Sequence, residues 1–112
     1  MMRNPVNKYH AKKTILGGIK FDSRKEARRW TELQLLERGG VISNLRRQVK
    51  IDLIGRDGPL LTRTGRKMKL TFDFAYIEGE RQIYEDTKGY RTRDYEVRAA
   101  VARAMGLEVR ET

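Results

Sequence analysis

A strand-like run that turns back on itself constrains the fold of this chain more than any other feature. Residues 68–77 alternate with period 2, which predicts a strand whose apolar face is formed by Met68, Leu70, Phe72, Phe74 and Tyr76. A second run covers 81–88, and Glu78-Gly79-Glu80 supplies the turn between the two runs. If Gly79 and Glu80 form a two-residue loop, Glu78 pairs with Arg81 and Asp73 lies directly opposite Asp86.

Two carboxylates that face each other across a hairpin repel each other, so their repulsion must be compensated. Directly opposed residues have Cβ atoms about 4.5–5.5 Å apart, and like charges at that separation are destabilising. The predicted pairing of Asp73 with Asp86 therefore indicates a cation between them. Lys88 lies two residues beyond Asp86, so its side chain is expected on the same face. A register slip of one residue would instead pair Asp73 with Glu85 and turn this site inside out.

The charge of the chain indicates the class of its partner. Among its 112 residues, 25 are Lys or Arg and 15 are Asp or Glu, which gives a net charge of +10. Such a balance predicts a polyanionic partner, because Lys and Arg bind phosphates and release counterions. Ribosomal, chromatin-like and nuclease domains all share it, so the charge leaves the activity open.

The same composition excludes several other classes. The chain has no cysteine and a single histidine, His10, so disulfide frameworks, thiolate zinc sites and multi-histidine metal sites are excluded. No apolar stretch approaches the ~18 residues of a membrane span, and residues 1–13 lack the apolar core of a signal peptide. We therefore expect one soluble, cytosolic domain that covers residues 1–112.

The first 20 residues form a basic arm. Gly17-Gly18 marks a turn in it, and Lys8, Lys12 and Lys13 are candidate phosphate contacts. A loose arm with one short strand and a phosphate-binding extension are both compatible with this segment.

A first helix is predicted from Ser23 to Arg38. Ser23 is a good N-cap, Glu26 stands at N3, and Gly39-Gly40 ends the helix. Glu26 falls within the apolar stripe of Ala27, Trp30, Leu33 and Leu36, whereas the opposite face carries Arg24, Lys25, Arg28, Arg29 and Glu32. Glu26 has two interpretations, as the acid of a capping box and as a carboxylate that reaches a site at the sheet edge.

The remaining elements complete the order helix, strand, strand, strand, helix, strand. Residues 44–54 alternate, with Leu45, Val49, Ile51 and Leu53 on one face, and 55–59 form a turn. Residues 60–67 extend the next strand or form a flap, in which Arg63 and Arg66 are candidate phosphate contacts or solvated charges. After a basic loop at 89–93, a second helix is predicted over 94–105 and an edge strand over 107–110. The fold class is α+β, with a mixed central sheet flanked by two helices.

This αβββαβ order and the Asp86-Thr87-Lys88 tripeptide resemble the PD-(D/E)XK nuclease superfamily. Over most of its length the chain is also similar to small phage-encoded proteins of that superfamily. The matching segments are Asn7-Lys8-Tyr9, Phe21 to Ala27, Phe72-Asp73-Phe74, Glu85 to Gly89 and Gly106 to Val109. Phe72, not proline, precedes Asp73, which departs from the motif without removing a chemical participant.

The resemblance implies roles for individual residues. Asp73 and Asp86 match the two acids that bind Mg²⁺ or Mn²⁺, Lys88 matches the lysine, and Glu26 matches the acid of the first helix. The backbone carbonyl of Thr87 would add a further metal ligand. Arg98 matches a basic helix position that some relatives direct toward the site, and it joins Arg91 and Arg93 as a candidate DNA contact.

The implied activity is a metal-dependent deoxyribonuclease, such as a structure-selective endonuclease that acts in phage DNA recombination, repair or processing. DNA is favoured over RNA through the resemblance, since a net charge of +10 fits both. One domain offers one site, so cutting two strands would favour a homodimer. Two alternatives remain: a nucleic-acid-binding protein without catalysis, and an accessory subunit of a DNA-processing complex with a degenerate site.

Overall fold

The computed structural model describes residues 14–87 and 90–112. Its helices and strands follow in chain order: β1 Thr14–Leu16, β2 Ile19–Phe21, α1 Arg24–Arg38, β3 Ile42–Asp52, β4 Ile54–Gly55, β5 Gly58–Pro59, β6 Lys69–Glu78, β7 Arg81–Asp86, α2 Arg93–Ala104 and β8 Glu108–Glu111. The predicted order of the main elements is confirmed. The arm contributes two short strands, β1 and β2, where one was expected, and Gly17-Gly18 is the turn between them.

The central sheet has the strand order β3-β6-β7-β8. Its first three strands are antiparallel neighbours, whereas β8 pairs parallel with β7. A parallel pair needs a crossover connection, and α2 supplies it. The sheet is therefore mixed and β8 is an edge strand, as predicted.

The hairpin of β6 and β7 has the predicted register. Glu78 pairs with Arg81, Ala75 with Tyr84 and Phe74 with Glu85. Gly79, with φ of +66°, opens the two-residue turn, where a residue without Cβ adopts a positive φ at no steric cost. The next position along this register brings Asp73 opposite Asp86.

The two helices cover opposite faces of the sheet. Glu85 contacts Arg29 of α1, while its neighbour Tyr84 packs in the α2 cluster, and neighbouring strand residues point to opposite faces. We call α1 cluster the core group Leu33, Ile42, Phe74, Tyr76 and Ile83. The α2 cluster consists of Leu53, Leu70, Phe72, Tyr95, Ala99 and Ala102.

The prediction of one apolar face on β6 is wrong. Leu70 and Phe72 pack in the α2 cluster, whereas Phe74 and Tyr76 pack in the α1 cluster. The side-chain alternation of β6 is thus interrupted at Asp73. β3 behaves in the same way, since Leu45 packs against the α1 cluster and Ile51 against the α2 cluster. The apolar residues of each run alternate with a regular period of 2, but the two halves of each strand pack against different faces of the sheet.

The first helix matches its prediction with one exception. Ser23 caps α1 by accepting the Glu26 backbone N–H at 3.1 Å, and Glu26, Ala27 and Leu33 are buried. Arg29 was predicted on the solvent face, but its guanidinium forms two hydrogen bonds with the buried carboxylate of Glu85, at 2.6 and 3.1 Å. A long arginine side chain reaches around the helix to a buried acid, which helical periodicity alone does not predict.

The second half of the chain follows its predicted elements closely. The predicted turn at 55–59 lies in a small hairpin of β4 and β5, and a bridge between Leu61 and Lys67 closes the loop that follows. Thr92 caps α2, which buries Tyr95, Ala99 and Ala102. Neither helix within 14–87 and 90–112 has the length and apolar character needed to cross a bilayer.

Candidate active site

The two predicted acids of the hairpin meet where β6 and β7 end their regular pairing. The Asp73 backbone N–H donates to Oδ1 of Asp86 at 3.0 Å, and the Thr87 backbone N–H donates to Oδ2 of Asp73 at 2.8 Å. Each carboxylate therefore binds a backbone amide of the opposite strand. Asp73, Asp86 and Thr87 are all buried. The sequence prediction that Asp73 and Asp86 come together is confirmed.

Glu26 is the third acid of this region. It lies in the first turn of α1 with only 3% of its surface exposed. Burial, together with the negative charges of Asp73 and Asp22, raises the pKa of the Glu26 carboxyl to about 7, while Arg47 opposes the shift. Since the charge of Asp73 raises the pKa of Glu26, the acid of α1 interacts electrostatically with an acid of the hairpin.

Two adjacent residues of β3 hold the Glu26 carboxylate. Gln48 Nε2 donates to Glu26 Oε2 at 3.4 Å, and Arg47 Nη2 lies 3.7 Å from the same oxygen. The Arg47 guanidinium also stacks on two aromatic rings, with Cζ 4.6 Å from the centroid of Phe21 and 5.7 Å from that of Trp30. Cation–π contacts of this kind fix the guanidinium in place. Sequence reasoning missed both residues, because β3 was interpreted as an ordinary half-buried strand.

The α2 side of the site contains a tyrosine that sequence reasoning placed only in the core. Burial raises the pKa of the Tyr95 hydroxyl, followed by the charge of Asp86 and a hydrogen bond with it. The same hydroxyl donates to Oε2 of Glu111 at 3.1 Å. Tyr95 thus joins the hairpin acid to the last strand, and its place in the helix stripe gave no signal of that role.

On the opposite face of β7, Glu85 is the centre of a buried network. In addition to Arg29, it accepts hydrogen bonds from the hydroxyls of Tyr76 and Thr112. Burial and the Glu85 hydrogen bond raise the pKa of Tyr76 to about 12. Because Glu85 and Asp86 are adjacent, this network fixes the strand position from which the Asp86 carboxylate extends.

Several predicted site residues lie outside the described residues. These are the lysine of the tripeptide and the three cations of the arm, namely Lys88, Lys8, Lys12 and Lys13. Among the residues that the structure describes, no group of three or more His, Asp or Glu side chains is arranged to hold a metal ion. Asp73 and Asp86 are joined by direct contacts, whereas Glu26 is linked to Asp73 by the effect of its charge.

The other predicted nucleic-acid contacts fall into two groups. Arg63, Arg66 and Arg93 are exposed, and none of them forms an ion pair within 14–87 and 90–112. Arg91 and Arg98 are engaged within the fold. Arg91 lies 3.4 Å from Glu111, and Arg98 contacts Asp94 at 2.9 Å and donates to the Lys69 carbonyl at 2.7 Å.

The fold and this site define a class: a basic α+β protein with a mixed four-stranded sheet and a buried pair of aspartates at its hairpin. Within that class, the chain belongs to the family described as "Protein of unknown function (DUF1064)", whose model matches residues 6–112. Comparison with curated proteins and with solved structures found no match.

Proposed function

We propose that this protein is a metal-dependent deoxyribonuclease that hydrolyses DNA phosphodiester bonds. The observation that carries the proposal is the meeting of Asp73 and Asp86 at the hairpin end, with the charge of Asp73 acting on the buried Glu26. Like charges in a buried place are costly unless a cation or a proton compensates them. The proposal includes the cytosol as its compartment, which is the host cytosol if the chain is phage-encoded.

The residues present fit Mg²⁺ or Mn²⁺. The donor set offers only oxygen: the carboxylates of Asp73 and Asp86, the carboxylate of Glu26 and the backbone carbonyl of Thr87. Mg²⁺ is bound in many enzymes by one or two carboxylates together with waters and substrate phosphates, without a complete protein cage. A pair of aspartates with a third acid nearby meets that requirement. Binding of Mg²⁺ in this way does not need three protein ligands to be in place beforehand.

In this proposal each residue has a separate task. Asp73 and Asp86 would hold the ion, which when bound supplies Lewis-acid stabilisation of charge on the scissile phosphate. Thr87, through its backbone N–H, keeps the Asp73 carboxylate turned toward β7. The Tyr95 hydroxyl of α2 hydrogen-bonds with Asp86 and so holds that carboxylate in place. Lys88, two residues beyond Asp86, would orient the attacking water or neutralise the phosphate.

DNA is the proposed substrate. The net charge of +10 favours a polyanion, and exposed cations without an acidic partner in the described chain are the ones available to phosphates. Arg63, Arg66 and Arg93 belong to that group, to which the arm would add Lys8, Lys12 and Lys13. Since one domain offers one such site, a homodimer is proposed where two strands are cut.

One observation favours a second candidate function, a nucleic-acid-binding protein or accessory subunit without catalysis. Both aspartates already bind backbone amides of the neighbouring strand, which is a structural role in itself. In addition, the described residues contain no group of three acids arranged around one ion. The two candidates make different predictions for DNA incubated with metal.

The first test is cleavage of supercoiled, linear, single-stranded and four-way-junction DNA with Mg²⁺, Mn²⁺ or EDTA. We expect cleavage of at least one substrate that EDTA abolishes. Asp86→Asn retains an oxygen acceptor for the Asp73 N–H but loses the charge, so the variant should still fold. It should cleave DNA more than about 100-fold more slowly, since changes to residues that only orient a metal ligand already cost about 10–100-fold. Lys88→Ala should also abolish cleavage.

A matched control is Asp57→Asn, which removes the same charge from the exposed turn between β4 and β5. This variant should cleave as the wild type does. DNA affinity in EDTA should be similar for all the variants with an altered aspartate. No EDTA-sensitive cleavage of any substrate would favour the second candidate, and wild-type rates for Asp86→Asn would refute the assignment of the site.

A further inference from the structure

Gln48 has an unusual backbone conformation for a residue within a strand. Its φ is +52°, in the left-handed region, where the Cβ atom of any residue other than glycine lies too close to the following carbonyl oxygen. β3 pairs Arg47 with Phe74 and Val49 with Phe72, so Gln48 lies across from Asp73, and within the described strands no ladder pair joins the two. A strained residue directly opposite a proposed metal ligand indicates a role beyond the sheet.

The left-handed conformation changes where the side chain goes. In a regular strand, adjacent residues point to opposite faces. Arg47 and Gln48 are adjacent, yet both reach the same oxygen, Glu26 Oε2, at 3.7 and 3.4 Å. The interrupted alternation of β3 therefore has a specific consequence, which is to bring two donors of one strand to one carboxylate.

We propose that Gln48 is a positioning residue that aims the Glu26 carboxylate at the acidic site. Its amide donates to Oε2 of Glu26, and the charge of Asp73 acts on the same carboxyl group. Arg47 supports the same oxygen while Phe21 and Trp30 hold its guanidinium. The catalytic consequence of this role rests on the proposed nuclease function, but the contact itself does not.

Asn44 offers an internal comparison. It has nearly the same conformation, with φ of +53°, and it is also exposed in β3. It lies at the register shift between Ser43 and Arg46, and the described contacts of Glu26 do not include it. A change at Asn44 thus reports the effect of relieving strain in β3 without touching Glu26.

The experiment compares Gln48→Met, Gln48→Gly and Asn44→Gly. Gln48→Met keeps the length of the side chain and removes the donor, while Gln48→Gly also relieves the strain. Both should lower kcat by about 10-fold or more, in the range found for residues that orient metal ligands. KM for DNA, and DNA affinity in EDTA, should remain within about 2-fold. Asn44→Gly should leave cleavage unchanged, and it should raise the melting midpoint or leave it unchanged.

A second measurement does not depend on cleavage. Unfolding of Gln48→Met, Glu26→Met and the double variant in EDTA forms a thermodynamic cycle. If Gln48 holds Glu26, the double variant melts at a higher temperature than the sum of the two single shifts predicts. Additive shifts overturn the proposal.

The outcomes separate the two proposals. If the wild type cleaves DNA and Gln48→Met cleaves equally fast, the positioning role fails and the nuclease function stands. If the wild type cleaves no DNA but the cycle shows coupling, the nuclease function fails and the positioning contact stands. Loss of DNA affinity in EDTA with unchanged kcat would make Gln48 a DNA contact, which also overturns the proposal.

Discussion

Glu26 is a carboxylate in a position that disfavours its charge. Burial removes it from water, and Asp73 and Asp22 add negative charge nearby, so the pKa of its carboxyl rises from 4.5 to about 7. A carboxyl group with a raised pKa binds its proton more tightly in the folded state. Ionisation of Glu26 therefore opposes folding in the absence of a cation.

The free energy of unfolding should depend on pH because of this carboxyl group. Between pH 4.5 and about 7 the unfolded chain releases the Glu26 proton while the folded chain retains it, so this contribution to stability is lost as pH rises. At about 1.4 kcal/mol per pKa unit the loss is up to about 3 kcal/mol. Urea unfolding in EDTA at several pH values measures it.

Glu26→Gln is the control for that prediction, since it keeps the shape of the side chain and cannot ionise. The difference in unfolding free energy between wild type and variant should change across this pH window and stay constant above it. Parallel pH profiles for the two proteins would contradict the raised pKa. Arg47, which lowers the pKa of Glu26, makes Arg47→Met a second check, because its removal should widen the window toward higher pH.

The candidate site was predictable from sequence in part, and the reason is physical. Asp73 and Asp86 follow from a two-residue turn, which fixes every pair of the hairpin by counting. Glu26 follows from its place in the helix stripe. Gln48 does not, because a left-handed residue within a strand has no sequence signal when the residue is neither Gly, Asn nor Asp. The hydroxyl of Tyr95 was equally hidden, since the rest of its side chain belongs in the core.

At the scale of elements, the interruptions in β3 and β6 decide where the site lies. Each strand serves the α2 face over one half and the α1 face over the other, and the change occurs at Gln48 and Asp73. A pattern with period 2 predicted that these segments are strands, and the two-residue turn predicted the pairing of β6 with β7. It could not predict the switch of face, because apolar residues stand on both sides of the break and satisfy either cluster.

The tether between α1 and β7 gives a prediction about stability. Arg29 forms two hydrogen bonds with Glu85, whose side chain is fully buried. Arg29→Met would leave an uncompensated buried charge, and breaking a buried pair from one side costs about 3–5 kcal/mol. Arg28→Met, the exposed neighbour on the same helix, should change stability by less than about 0.5 kcal/mol. Thermal or urea unfolding of both variants compares them.

A further variant shows whether charge is the cause. Glu85→Gln in the Arg29→Met background removes the orphaned charge while keeping an acceptor for the Tyr76 and Thr112 hydroxyls. This double variant should be more stable than Arg29→Met alone. If it is less stable, the tether contributes through packing, and the electrostatic account is wrong.

At the scale of the whole molecule, the positive charge is not uniform in its availability. Arg81 and Arg103 have acidic partners, at 3.2 Å to Glu108 and 3.3 Å to Glu111. Arg63 and Arg66 stand exposed in the loop before β6 without an ion pair in the described part of the chain. Composition predicted a polyanionic partner, but only the folded arrangement separates these two groups of cations.

That separation gives a prediction for DNA binding in EDTA, where cleavage plays no part. Each phosphate contact contributes about 0.9 to the slope of log affinity against log salt. Arg63→Gln/Arg66→Gln should therefore reduce the slope by up to about 2 and weaken binding on every DNA sequence alike. Arg81→Gln/Arg103→Gln lowers the net charge of +10 by the same two units, yet it removes cations that already bind acids, so its slope should stay near that of the wild type. Fluorescence anisotropy across a salt series measures all three slopes. Equal reductions for both pairs would mean that DNA responds to total charge, and the loop before β6 would then lose its place in the interface.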